Sequence, residues 1–92
     1  MQAQFAIHCW VSGRVQGVSY RIYTKKQARA LGLTGWVKNL SDGRVEVFIC
    51  GDEAIVWQMH AWLKQGPPLA VVAEVAHEVE AWCEYEQFDI VD

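Results

Sequence analysis

No cluster of lysine or arginine occurs in these 92 residues, whose net charge is −3 at pH 7. A partner held by its phosphate backbone needs such a cluster, so nucleic acid is not expected to bind. No apolar run approaches the roughly 20 residues of a membrane span, and no basic-then-apolar leader opens the chain. A soluble cytoplasmic protein with no membrane partner is the expectation. Cysteine is scarce and poorly spaced for chemistry. Cys9, Cys50 and Cys83 are odd in number and form no CxxC pair, so neither a disulfide framework nor a zinc site is indicated. Reduced thiols are expected, and side-chain parity puts Cys9 and Cys50 on opposite faces of a sheet, out of bridging reach. There is also no internal repeat, low-complexity segment or linker, and the length allows one domain spanning residues 1–92, expected to act as a monomer.

What the chain does have is apolar material. Hydrophobic residues make up 52% of it, five of them tryptophan. A domain of this size buries only roughly 60–65% of its unfolded surface, and this composition suffices for one two-layer core.

Phe5, Ile7, Cys9 and Val11 alternate with Ala6, His8, Trp10 and Ser12, the period of a strand with one better-buried face. Trp10 falls on the less covered face. Tyr20, Thr24, Ala28 and Leu31 recur at helical spacing, and Gly32 is a natural stop. Gly35–Asn39 reads as a second strand, and Asp42-Gly43 is hairpin chemistry leading to a third over Arg44–Cys50. Asp52 is placed to cap a second helix whose apolar stripe is Ile55 or Val56, Met59, Trp62 and Leu63. Gly66-Pro67-Pro68 ends it. Val75, His77, Val79 and Ala81 alternate as a fourth strand, and a short last strand ends at Phe88 and Ile90. The order βαββαβ with an extra terminal strand is an α+β ferredoxin-like sandwich, with two helices on one face of an antiparallel sheet. His8, His60 and His77 sit in separate elements with no carboxylate or cysteine at a telling spacing, so no metal site is expected.

The chemistry concentrates between the first strand and the first helix. Gly13 and Gly17 bracket a short loop whose consecutive N–H groups can turn toward one concavity. The helix N-terminus adds unpaired amides and a partial positive charge, which suits an anion without a metal or cofactor. Val15, Gln16, Gly17, Val18, Ser19 and Tyr20 form the expected phosphate cradle, and Arg21 in the first turn leans back to close it with a two-pronged guanidinium. Gln16 is better placed to brace the loop than to touch substrate. Ser19 is a candidate hydroxyl contact, Tyr20 a core residue, and Arg14 a surface one. Asp42 and Asp52 read as a turn residue and a cap.

Gly13, Val15, Gln16, Gly17, Val18, Tyr20 and Arg21 form a string that resembles the first signature of the acylphosphatase family. Gly35-Trp36-Val37-Lys38-Asn39-Leu40-Ser41-Asp42-Gly43-Arg44-Val45, followed by Gly51, resembles the second. The likeness covers nearly the whole chain and implies the same fold with a short fifth strand. It implies a small-molecule acyl phosphate substrate, an arginine at Arg21 that binds phosphate, and an asparagine at Asn39 that orients the attacking water. Val71 departs from the arginine that many members carry after the Gly-Pro pair. Topology agrees with the two-part site: a strand, helix, strand crossover makes the first two strands parallel, so their carboxyl ends share one sheet edge. The chemistry agrees too, because a carboxylate leaves readily and the protein need only hold the phosphoryl group and aim a water. Two alternatives stand beside this enzyme: a non-catalytic anion-binding module of the same fold, and a domain of a larger carbamoyl-transfer maturation protein. An RNA reader of this fold would carry an aromatic strand signature and a basic face, which the sequence lacks.

Overall fold

The computed structural model describes residues 4–81 and 84–92. In chain order they form β1 (Phe5–Arg14), α1 (Tyr20–Ala30), β2 (Thr34–Asn39), β3 (Val45–Gly51), α2 (Glu53–Gln65), β4 (Val71–Glu80) and β5 (Phe88–Ile90). The strands make one sheet in the order β4-β1-β3-β2-β5. β1 pairs antiparallel with β3 and β4, and β2 antiparallel with β3. β5 instead lies parallel to β2, with Gly35 opposite Phe88 and Val37 opposite Ile90, so the sheet is mixed rather than wholly antiparallel. The reason is directional: β4 runs opposite to β2, and a chain that turns back after β4 runs with β2.

Alternation decides which side is buried. Ile7, Cys9 and Val11 of β1, Val45, Val47 and Ile49 of β3, and Val37 and Phe88 are fully covered by the helices. α1 contributes Tyr20, Thr24 and Ala28, and α2 contributes Val56, Met59 and Leu63. Asp52 caps α2 as expected, its carboxylate accepting from the amides of Ala54 and Ile55. At the other end of α2 the Leu63 carbonyl has lost its helical donor, because position 67 is proline and has no N–H. The buried phenol of Tyr20 donates to that carbonyl at 2.8 Å and ties the start of α1 to the end of α2.

β1 runs on to Arg14, past the expected end at Val11, through an irregularity between Ser12 and Gly13. Gly13 has φ 123°, and a Cβ there would lie 2.2 Å from the Val71 carbonyl oxygen, so only glycine lets β1 and β4 close together at this point. β4 correspondingly starts at Val71, earlier than its alternation suggests. As an edge strand it buries little, and Val79 remains 59% exposed.

Cys9 and Cys50 lie on opposite faces, Cys9 free and buried in the main core and Cys50 beside Ala6 and Phe48 on the other side. Cys50 is disulfide-bonded, which overturns the expectation of a reduced thiol there; Cys83 lies outside the described residues. The histidines are less isolated than their spacing suggests. His8 Nε2 lies 2.6 Å from a carboxylate oxygen of Glu46, a diagonal neighbour across β1 and β3. The rings of His60 on α2 and His77 on β4 lie 4.8 Å apart, both against Trp57. The uncovered face holds Trp10, as its alternation implies, within an aromatic cluster: His8 stacks on Trp10 at 4.1 Å and Trp36 on Phe48 at 5.9 Å. The carboxylates of Glu46 and Glu80 and the ammonium of Lys38 flank this cluster.

Candidate functional site

The loop from β1 to α1 is shaped by two left-handed residues. Gly17 has φ 75° and Ser19 φ 62°, and they stand on either side of Val18. Alternation of handedness swings successive N–H groups into one concavity. A Cβ at Gly17 would meet nothing within 4 Å, so it is the backbone angle and not space that favours glycine there. Ser19 adopts the same region against a cost on the order of 1 kcal/mol. It occupies the cap position of α1, yet its side chain makes no capping hydrogen bond. Among the described residues no backbone carbonyl accepts from the amides of Gln16 to Ser19, and the first-turn amides of α1 lie next to them.

A pocket of about 280 Å³ opens over this loop, lined by Val15, Gln16, Gly17, Ser19, Tyr20, Arg21, Ile22 and Asn39. Six of the seven expected cradle residues therefore reach it. Val18 does not: its side chain turns into the core at 8% exposure and only its backbone belongs to the loop. Ile22 was not singled out in the sequence. An apolar residue in the first turn that falls off the Tyr20, Thr24, Ala28 stripe was the available signal, and it lines the pocket at 51% exposure.

The electrostatics of the helix start run against the usual preference. The positive end of a helix dipole favours acidic residues, but the first turn of α1 has none and carries Arg21. Among the described residues no carboxylate lies within ion-pair distance of that guanidinium. Amides, dipole and arginine thus add the same sign in one concavity, an arrangement that an anion would offset.

Asn39 reaches the same pocket from the end of β2, which is parallel to β1 because both pair antiparallel with β3. Its Oδ1 is buried without a hydrogen-bond partner. A buried acceptor left open in a pocket wall is uncommon and is suited to accept from whatever enters. Gln16 braces rather than points outward, its Nε2 donating to the carbonyls of Leu40 at 2.8 Å and Arg44 at 3.0 Å. Arg14 is exposed at the end of β1. Asp42 closes its turn by accepting from the amide and Nε of Arg44, and the backbone donor, ahead of the guanidinium, lowers its pKa. Burial, and secondarily the nearby Cys9 thiol, raises the Tyr20 phenol, which keeps it neutral. Among the described residues no group of three or more His, Cys, Asp or Glu could hold a metal ion, and no helix is long and apolar enough to cross a membrane.

The acylphosphatase family model matches residues 7–90. The acylphosphatase of Legionella pneumophila strain Paris is 43% identical over 91 residues, covering 99% of this chain and 100% of that protein. The acylphosphatase of Halorhodospira halophila is 54% identical over 70 residues, 76% of each chain. The solved structure of an acylphosphatase from Coxiella burnetii superposes with a TM-score of 0.92 at 43% identity, over 96% of this chain and 93% of that one.

Proposed function

The chain belongs to the acylphosphatase family and hydrolyses acyl phosphates, and on that premise we propose how its residues divide the work. The amides of the loop from Val15 to Tyr20, with the guanidinium of Arg21, hold the three phosphoryl oxygens. Asn39 accepts a hydrogen from water at Oδ1 and so turns a water lone pair toward phosphorus, in line with the leaving oxygen. The water oxygen bonds to phosphorus as the bond to the acyl oxygen breaks, and the carboxylate departs with that electron pair. The water proton passes to a phosphoryl oxygen of the substrate, since an amide cannot take it and, among the described residues, no titratable base lines the pocket apart from the buried Tyr20 phenol. Inorganic phosphate and carboxylate are the products, and no metal takes part.

The observation that carries this reading is the buried, unpartnered Oδ1 of Asn39 in the wall of the pocket that Arg21 also lines. Benzoyl phosphate hydrolysis, with inorganic phosphate as competitive inhibitor, tests it. Asn39→Ala is expected to lower kcat at least about a hundredfold while phosphate still inhibits, and Arg21→Ala to lose both. Loss of phosphate inhibition in the Asn39 variant would give that residue the wrong role, and loss of wild-type activity to a chelator would end the metal-free mechanism. The same reading makes residues 1–92 one domain, acting as a monomer in the cytoplasm without nucleic acid. Gel filtration and cell fractionation check this, and the Cys50 disulfide makes the fractionation informative, because such bonds are rare in reducing compartments.

A further inference from the structure

We propose that Ile22 is the acyl-side contact of the pocket and tilts this chain toward acyl phosphates with a bulky apolar acyl group over acetyl phosphate. The inference rests on the division of labour above, in which the attacking water is held at Asn39. In-line displacement fixes the leaving carboxylate on the far side of phosphorus from that water. The Asn39 acceptor is buried, so the acyl group leaves toward the open side of the pocket. Three of the lining residues are exposed there: Gly17, Ser19 and Ile22. Gly17 has no side chain and Ser19 offers a small hydroxyl. Ile22 alone presents apolar surface at the mouth, and it is 51% exposed despite being β-branched aliphatic.

Its location explains why it stands there. Tyr20, Thr24 and Ala28 form the buried stripe of α1, and position 22 lies off that stripe, in the turn whose amides and Arg21 face the anion. A helix side chain leans toward the N-terminus, so the isoleucine overhangs the cradle rather than the body of the helix. An acetyl group is too short to cover it, whereas a benzoyl ring leaving the cradle would lie on it and withdraw part of both surfaces from water.

The test compares kcat/KM for benzoyl phosphate and acetyl phosphate in wild type, Ile22→Ala and Ile22→Leu. The alanine variant is expected to shift the benzoyl-to-acetyl ratio about three- to tenfold toward acetyl phosphate, through KM for the benzoyl substrate, since a half-exposed contact is worth less than a closed hydrophobic pocket. Leucine, of similar volume, is expected to restore most of the ratio. Alanine is the best helix former, so helix stability is not at stake in the first variant. Leu69, 73% exposed but outside the pocket lining, is the control: Leu69→Ala should leave the ratio where it is. An equal change on both substrates in Ile22→Ala, an unmoved ratio, or an equal shift in Leu69→Ala would overturn the proposal. Asn39→Ala separates the two readings. It strikes turnover of both substrates alike, so a defect there reports on the water and the ratio in the Ile22 variants reports on the acyl side.

Discussion

Replacing Tyr20 by phenylalanine removes one oxygen from the structure and leaves the ring where it is, packed near Trp62 and against the backbone of Gly66. That oxygen is the donor to the Leu63 carbonyl at 2.8 Å, in a site that is 1% exposed. No other donor can take its place from the helix, because the residue four positions on is Pro67. The variant therefore leaves a buried carbonyl unpaired, without opening a cavity larger than the lost oxygen. The expected cost is about 1–3 kcal/mol. For a domain of this size each kcal/mol moves Tm by roughly 4–8 °C, so melting followed by circular dichroism at pH 7 should show a drop of about 5–20 °C. A drop below about 2 °C would mean that the hydroxyl is not what satisfies the end of α2. Hydrogen exchange localises the effect, with faster exchange expected in the last turn of α2 and in the first turn of α1 before the rest of the sheet.

Two further outcomes concern pH. Burial raises the Cys9 thiol from 9.0 to about 12, so the folded state holds its proton where the unfolded chain releases it; stability is complete below about pH 9 and is lost as pH rises toward 12. Urea titrations from pH 8 to 11 should show that fall, and Cys9→Val should flatten part of it, the remainder belonging to the raised Tyr20 phenol. At the acid end, burial first, then His77 and Lys64, lowers the pKa of His60, so the unfolded chain takes up a proton that the fold resists and stability falls as pH drops below 6.5. His60→Gln should reduce that slope in urea titrations between pH 7 and 5, and an unchanged slope would place the acid sensitivity elsewhere.

Much of the candidate site is legible in the sequence because it depends on local rules. Two glycines before a helical period announce a turn that presents amides, and the crossover rule brings Arg21 and Asn39 to one sheet edge. What escaped the sequence depends on pairing over distance. Nothing in a spacing of 38 residues announces that His8 meets Glu46, and the contact exists only because β1 and β3 adopt one register. His60 and His77 likewise meet because α2 crosses β4, which neither period specifies. The parallel docking of β5 needed the direction of β4 to be known first. Val18 shows a subtler limit: its backbone belongs to the cradle and its side chain to the core, and a string of one-letter codes does not separate the two. The Cys50 disulfide ran against the expectation of reduced thiols because that expectation rested on the number and spacing of the cysteines, which carry no distance in the fold.

Gln16 contributes one short amide that grips two carbonyls, at Leu40 and Arg44, on either side of the hairpin that follows Asn39. The candidate cradle and the end of β2 are thereby tied to each other, though they lie in distant stretches of chain. Tolerances add along a linkage and vanish within a single casting. A shift of the loop carries the carbonyls it grips, so in the proposed division of labour the phosphate site and Asn39 move together. If that division holds, a cradle transplanted without the hairpin is expected to keep its grip on phosphate and lose its aim.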